Sequence, residues 1–142
     1  MKTALVRGSY LRPSGVVPWE VLHRDDNFDI VAFESNPPRF DTSSLEMPVR
    51  QLSWPDGKHE LFGHEHAVSK GLRRIRFPTD YLRGVGRLVN EFDVIHTSEN
   101  FNFFSYQAVR ATKGTNTKFT FSAGENIPYP PFQRNPLLWR MK

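Results

Sequence analysis

The sequence predicts an α/β domain built on a mostly parallel sheet. Three observations predict it. Short apolar runs at 3–8, 28–35, 48–54, 93–97 and 117–123 have the length and composition of strands. Stretches with helical spacing lie between most of them, so the chain must cross over to rejoin the sheet. The 142 residues suffice for one domain with a real core, and a composition of 38% hydrophobic and 24% charged residues is ordinary for a globular protein.

The elements follow in order. "TALVRG" (3–8) is a continuous apolar run ended by Gly8, which suits a strand covered on both faces. "SYLRPSG" (9–15) is a loop. Pro18 suits a helix start, and "PWEVLHR" (18–24) reads as a short helix with Trp19, Val21 and Leu22 facing inward. "FDIVAFES" (28–35) is the second strand. Consecutive prolines make 36–46 a loop. "PVRQLSW" (48–54) is a third strand, closed by the turn "PDG". Residues 61–74 admit a helix that Gly63 and Gly71 weaken. "TDYLRGVGRLVNEF" (79–92) has apolar residues at helical spacing behind Thr79 as a cap. "DVIHT" (93–97) is a strand, 102–114 a helix ended by Gly114, and 117–123 the last strand. The order β-α-β-β-(α)-α-β-α-β predicts a Rossmann-like, three-layer domain.

In such sheets ligands sit outside the carboxyl ends of the strands. Three polar turns fall there, at 8–15, 96–100 and 123–127. Ser14 and Gly15 precede a helix and offer backbone N–H groups, as ligand loop or plain connection; the pattern is neither G-x-G-x-x-G nor a Walker loop. His96 breaks an apolar run, and reads as the strand's end. It can bond a substrate hydroxyl, act as a base, or simply cap the strand. Glu99 and Asn100 read as site residues or as caps of the next helix.

Several classes are excluded or unsupported. No cysteine is present, which removes thiol chemistry and suits a cytosolic protein. The start "MKTALVRGSY" does not read as a signal peptide. His59, His64 and His66 do not match H-E-x-x-H, and no metal or cofactor is expected. No Ser-His-Asp arrangement or nucleophile elbow is present. The net charge of +4 permits anionic partners. The basic stretch "KGLRRIR" (70–76) lacks interleaved aromatics, so nucleic acid is not the expected partner.

The tail "TKFTFSAGENIPYPPFQRNPLLWRMK" (117–142) runs strand, Glu125-Asn126-Ile127-Pro128, then an expected helix from about 136. It resembles the end of the N-terminal domain of GT-B glycosyltransferases of the family 4 type, where an "EN.P" turn leads toward the second domain. "DVIHTSEN" is similar to that family's "DV(V/I)H.H" strand, and "ALVRGSYLRPSG" to its first strand and glycine loop. Two departures stand out: the family's paired glycines are Ser14-Gly15 here, and the second His is Ser98.

The resemblance implies a division at about residue 126. Residues 1–126 would form the acceptor-side domain. Residues 127–142 would begin the segment leading to a C-terminal donor domain, which would carry the nucleotide site and Glu-x7-Glu. The whole enzyme would move a sugar from a nucleotide-sugar to a carbohydrate or lipid-linked acceptor, and this half alone would not turn over. By resemblance, Gly15 would let ligand approach the backbone, His96 would bond the transferred sugar or the acceptor, and Glu125 and Asn126 would line the cleft. Arg73, Arg74 and Arg76 would meet an anionic membrane surface at the cytoplasmic side. The apolar tail, with Ile127, Leu137, Leu138 and Trp139, would pack on the second domain or drive self-association. The alternative is a stand-alone Rossmann-like binding or regulatory module.

Overall fold

The computed structural model describes residues 1–36, 38–52, 82–98 and 102–122. Five strands form one sheet: β1 (Lys2–Gly8), β2 (Asp29–Ser35), β3 (Val49–Leu52), β4 (Val94–Ser98) and β5 (Lys118–Ser122). Their order across the sheet is β3-β2-β1-β4-β5, and every neighbouring pair is parallel. This is a Rossmann-like fold. β1 lies at the centre because its residues tolerate cover on both faces: Ala4, Leu5 and Val6 are fully buried.

Alternation along the strands sends side chains to two separate cores. On one face Ala4, Val6, Val31, Phe33 and Ile95 pack with Leu82, Val85, Leu88 and Phe92, and with Phe104 and Ala108 of helix α2 (Phe103–Thr112). On the other face Leu5, Ile30 and Ala32 pack with Leu11, Val16 and Met47, and with Trp19 of the short helix α1 (Val17–His23). A single 3₁₀ turn, η1 (Pro13–Gly15), leads into α1.

The structure corrects three expectations. Within the described part of 79–92 no α-helix forms; the chain makes a 3₁₀ helix, η2 (Val85–Asn90). Gly84 before it takes φ 98°, a left-handed conformation that interrupts any helix. Leu82, Val85 and Leu88 are three apart, which lines up one face at three residues per turn. Of the three residues expected to face inward from α1, only Trp19 is partly buried in the core; Val21 is 59% exposed and Leu22 38%. Finally, β4 does not end at His96: it continues through Thr97 to Ser98, and all three are buried.

Gly8 ends β1 with φ 54°. A Cβ there would lie 3.2 Å from Phe104 and 3.3 Å from Leu82. The glycine therefore serves both the left-handed turn out of the sheet and the close approach of α2. No helix among the described residues is long and apolar enough to cross a membrane.

The histidines at 59, 64 and 66, the arginines at 73, 74 and 76, the helices expected over 61–74 and from 136, and the division at 126 with the segment 127–142 lie outside the described residues.

Candidate functional site

The candidate site lies where the strand order reverses. β1 connects forward to β2 on one side, and β4 pairs with β1 on the other. The connections leaving β1 and β4 thus depart in opposite directions and leave a crevice at the carboxyl edge.

His96 sits on this central pair. In register, Leu5 of β1 faces His96 of β4, and His96 faces Thr120 of β5. Register partners in a parallel sheet point to the same face, so this row lies under α1. His96 is 7% exposed. Its Nδ1 is 2.9 Å from the Thr120 hydroxyl. The Trp19 indole lies against it with ring centroids 4.4 Å apart and planes tilted by 47°. Nε2 is buried and meets no hydrogen-bond partner among the described residues. Burial, followed by the positive charge of Arg7, lowers the His96 pKa from 6.5 to about 4. The imidazole is therefore neutral near pH 7. It is a weak base and a good hydrogen-bonding group, which argues against the general-base role among the sequence expectations.

Two loops that leave the same edge of the sheet meet each other. The loop after β1 carries Arg12 and the loop after β2 carries Arg39, and both guanidinium groups lie over Phe40, at 4.6 and 5.4 Å from its ring centre. Two described acids on these loops are engaged. Glu34, buried at the end of β2, accepts hydrogen bonds from the Thr42 hydroxyl and the Gln51 amide, each at 3.2 Å. Asp41 accepts from the Ser43 backbone N–H, which holds its carboxyl below the usual range.

The connection from β4 is fixed by a carbonyl. Ser98 O accepts from the Asn102 amide at 2.9 Å and from the Ser105 hydroxyl at 3.3 Å. Asn102 thereby ties the first turn of α2 to the strand end.

Of the expected site residues that the structure describes, His96 joins this buried cluster and Ser14 and Gly15 do not. Ser14 and Gly15 form η1, exposed on the same connection, and no hydrogen bond or ring contact joins them to His96 among the described residues. The nearest heavy atom to a Cβ built on Gly15 would be 4.0 Å away, so the fold itself does not require glycine there. Glu99, Glu125 and Asn126 lie outside the described residues.

Sequence reasoning missed Arg7, Trp19 and Thr120 as companions of His96. Arg7 carried a signal: a charged residue inside an otherwise continuous apolar strand needs a reason. Trp19 and Thr120 carried none, because their relation to His96 depends on strand order. Among the described residues no group of three metal-ligating side chains assembles. No family model, curated protein or solved structure matches the chain.

Proposed function

We propose that this domain is the acceptor-binding half of a glycosyltransferase that uses a nucleotide-sugar, with a hydroxylated acceptor held in the crevice between β1 and β4. The observation that carries the reading is the buried Nε2 of His96, which lacks a partner among the described residues at the switch point of the sheet. A buried polar atom left unsatisfied costs on the order of 1–3 kcal/mol, and a ligand group that bonds it recovers that cost. The ring's neutrality favours binding and orientation over proton transfer, so the transferring chemistry belongs to the donor domain that the family resemblance implies. The lack of cysteine and the basic stretch at 70–76 fit a cytoplasmic enzyme working at the inner face of a membrane.

The test is a titration of the labelled 142-residue chain with a panel of neutral sugars and polyols, followed through the His96 ring signals by NMR. The expected result is a saturable shift with at least one of them, lost in His96→Ala. Absence of any shift, with salt-dependent nucleic-acid binding instead, would overturn the reading. The stand-alone binding module draws on the same neutral ring. It is distinguished by turnover: linkage to a donor domain yields transfer under the first reading and none under the second.

A further inference from the structure

The acids around α1 and the loop after β2 are committed. Glu20 of α1 accepts from the backbone N–H groups of Glu46 and Met47. Glu46 takes both arms of the Arg24 guanidinium, at 2.7 and 2.8 Å. Glu34 is held by Thr42 and Gln51, and Asp41 by Ser43. Arg12 and Arg39 are treated differently from Arg24. Both are exposed, and neither is paired with an acid among the described residues. Both guanidiniums lie instead over the one ring of Phe40. Ring-centre distances of 4.6 and 5.4 Å cap the separation of the two guanidinium carbons at 10.0 Å. Like charges this close repel. The ring attracts each charge but leaves the N–H forks in need of an acceptor.

The backbones that carry the pair are fastened. Leu11, next to Arg12, is buried, and its N–H donates to the Gly8 carbonyl. The Arg12 carbonyl accepts from the Gly15 N–H at 3.0 Å. Beyond Phe40, the Asp41 carboxylate turns the chain through Ser43, and the Thr42 hydroxyl ties the loop to Glu34 at the end of β2. Cations presented from a fixed backbone lose less freedom when they bind.

We propose that Arg12 and Arg39 form a two-armed clamp for a phosphate group, with the Phe40 ring as their common support. The arms come from loops that leave β1 and β2 at one edge of the sheet, so they reach a ligand from two directions. A phosphate monoester offers three oxygens and can accept a fork from each arm, whereas a carboxylate offers two and is filled by one fork. The bound anion also offsets the repulsion between the arms. This clamp goes beyond the acceptor reading and makes no use of His96.

The full chain, nitrogen-labelled at arginine, is titrated at constant ionic strength with inorganic phosphate and, separately, with acetate. Phosphate is expected to move the Arg12 and Arg39 Nε–H signals together and saturably, and acetate to bind at least about fivefold more weakly. Arg12→Gln and Arg39→Gln should each weaken phosphate binding about fivefold or more. Arg110→Gln should leave it unchanged; it removes the same charge from a guanidinium over a different ring, that of Tyr106 on α2. Both clamp residues are exposed, so the unfolding midpoint of their variants should match that of the native chain. The phosphate can come from a soluble ester or a lipid headgroup. Glycerol phosphate that displaces inorganic phosphate better than vesicles of phosphatidylcholine with phosphatidic acid assigns a soluble ligand; the reverse assigns a lipid. Equal binding of acetate refutes the phosphate. No saturable shift, or a loss of binding shared by Arg110→Gln, refutes the clamp and leaves the His96 reading standing.

Discussion

Acidification should weaken the fold through His96. An unfolded histidine titrates near 6.5, and the folded one near 4. The folded state therefore resists the proton that the unfolded chain accepts. Above about pH 6.5 both states are neutral and the group contributes nothing to the slope. Between there and about pH 4 the unfolded chain binds the extra proton, so stability falls as pH falls, and below about pH 4 the loss levels off. At 1.36 kcal/mol per pH unit, the full loss is about 3 kcal/mol, a large part of the stability of an ordinary domain. The assay compares the native chain with His96→Gln by urea unfolding at about pH 7, 5.5 and 4. Subtracting the variant removes the titration of all other groups. The stability difference should move against the native chain by about 3 kcal/mol across that window. A difference that stays flat would show that His96 titrates as an exposed residue, and would refute both its burial and the argument for a neutral ring.

Three further outcomes follow from the same geometry. Removing the indole by Trp19→Ala should let water reach the ring and raise the His96 pKa from about 4 toward 6.5, read by NMR titration; a value that stays near 4 would mean that the Arg7 field and not burial sets it. Gly8→Ala should destabilise the domain by about 2 kcal/mol or more, since it combines a left-handed φ with crowding against Phe104; an unchanged unfolding midpoint would show that the turn relaxes freely. Thr117→Val should cost about 1–2 kcal/mol in chemical denaturation, because its buried hydroxyl is shared between Val89 O at 2.8 Å and Phe92 O at 2.9 Å.

Much of the architecture was legible because it rests on local patterns. The unbroken apolar stretch Ala4–Leu5–Val6 announced a strand covered on both faces, and the strand–helix alternation announced parallel pairing. The pattern of 82, 85, 88 and 92 correctly marked buried positions but was read at the wrong pitch, since a spacing of three serves a 3₁₀ helix as well as an α-helix. Helix α1 misled for a related reason: two turns are too short for periodicity to fix which side faces the sheet. His96 was found because a polar residue in an apolar run stands out. Its surroundings were not, because Leu5, His96 and Thr120 become neighbours only through a strand order that no local pattern encodes.

The central pairing has a consequence for biosynthesis. Thr3 of β1 pairs with Val94 of β4, and the backbone N–H of Lys2 donates to Asp93 at 2.7 Å across 91 positions. β2 is made almost at once and can take one edge of β1. The other edge waits for residues 36–93 to leave the ribosome, an interval on the order of several seconds at ordinary elongation rates. Through that interval the central strand of the sheet presents an open edge, the configuration most prone to wrong pairing with other chains. Yield in the cell then depends on the delivery of β4 as much as on final stability, and slower refolding than in domains of local topology is the expected companion.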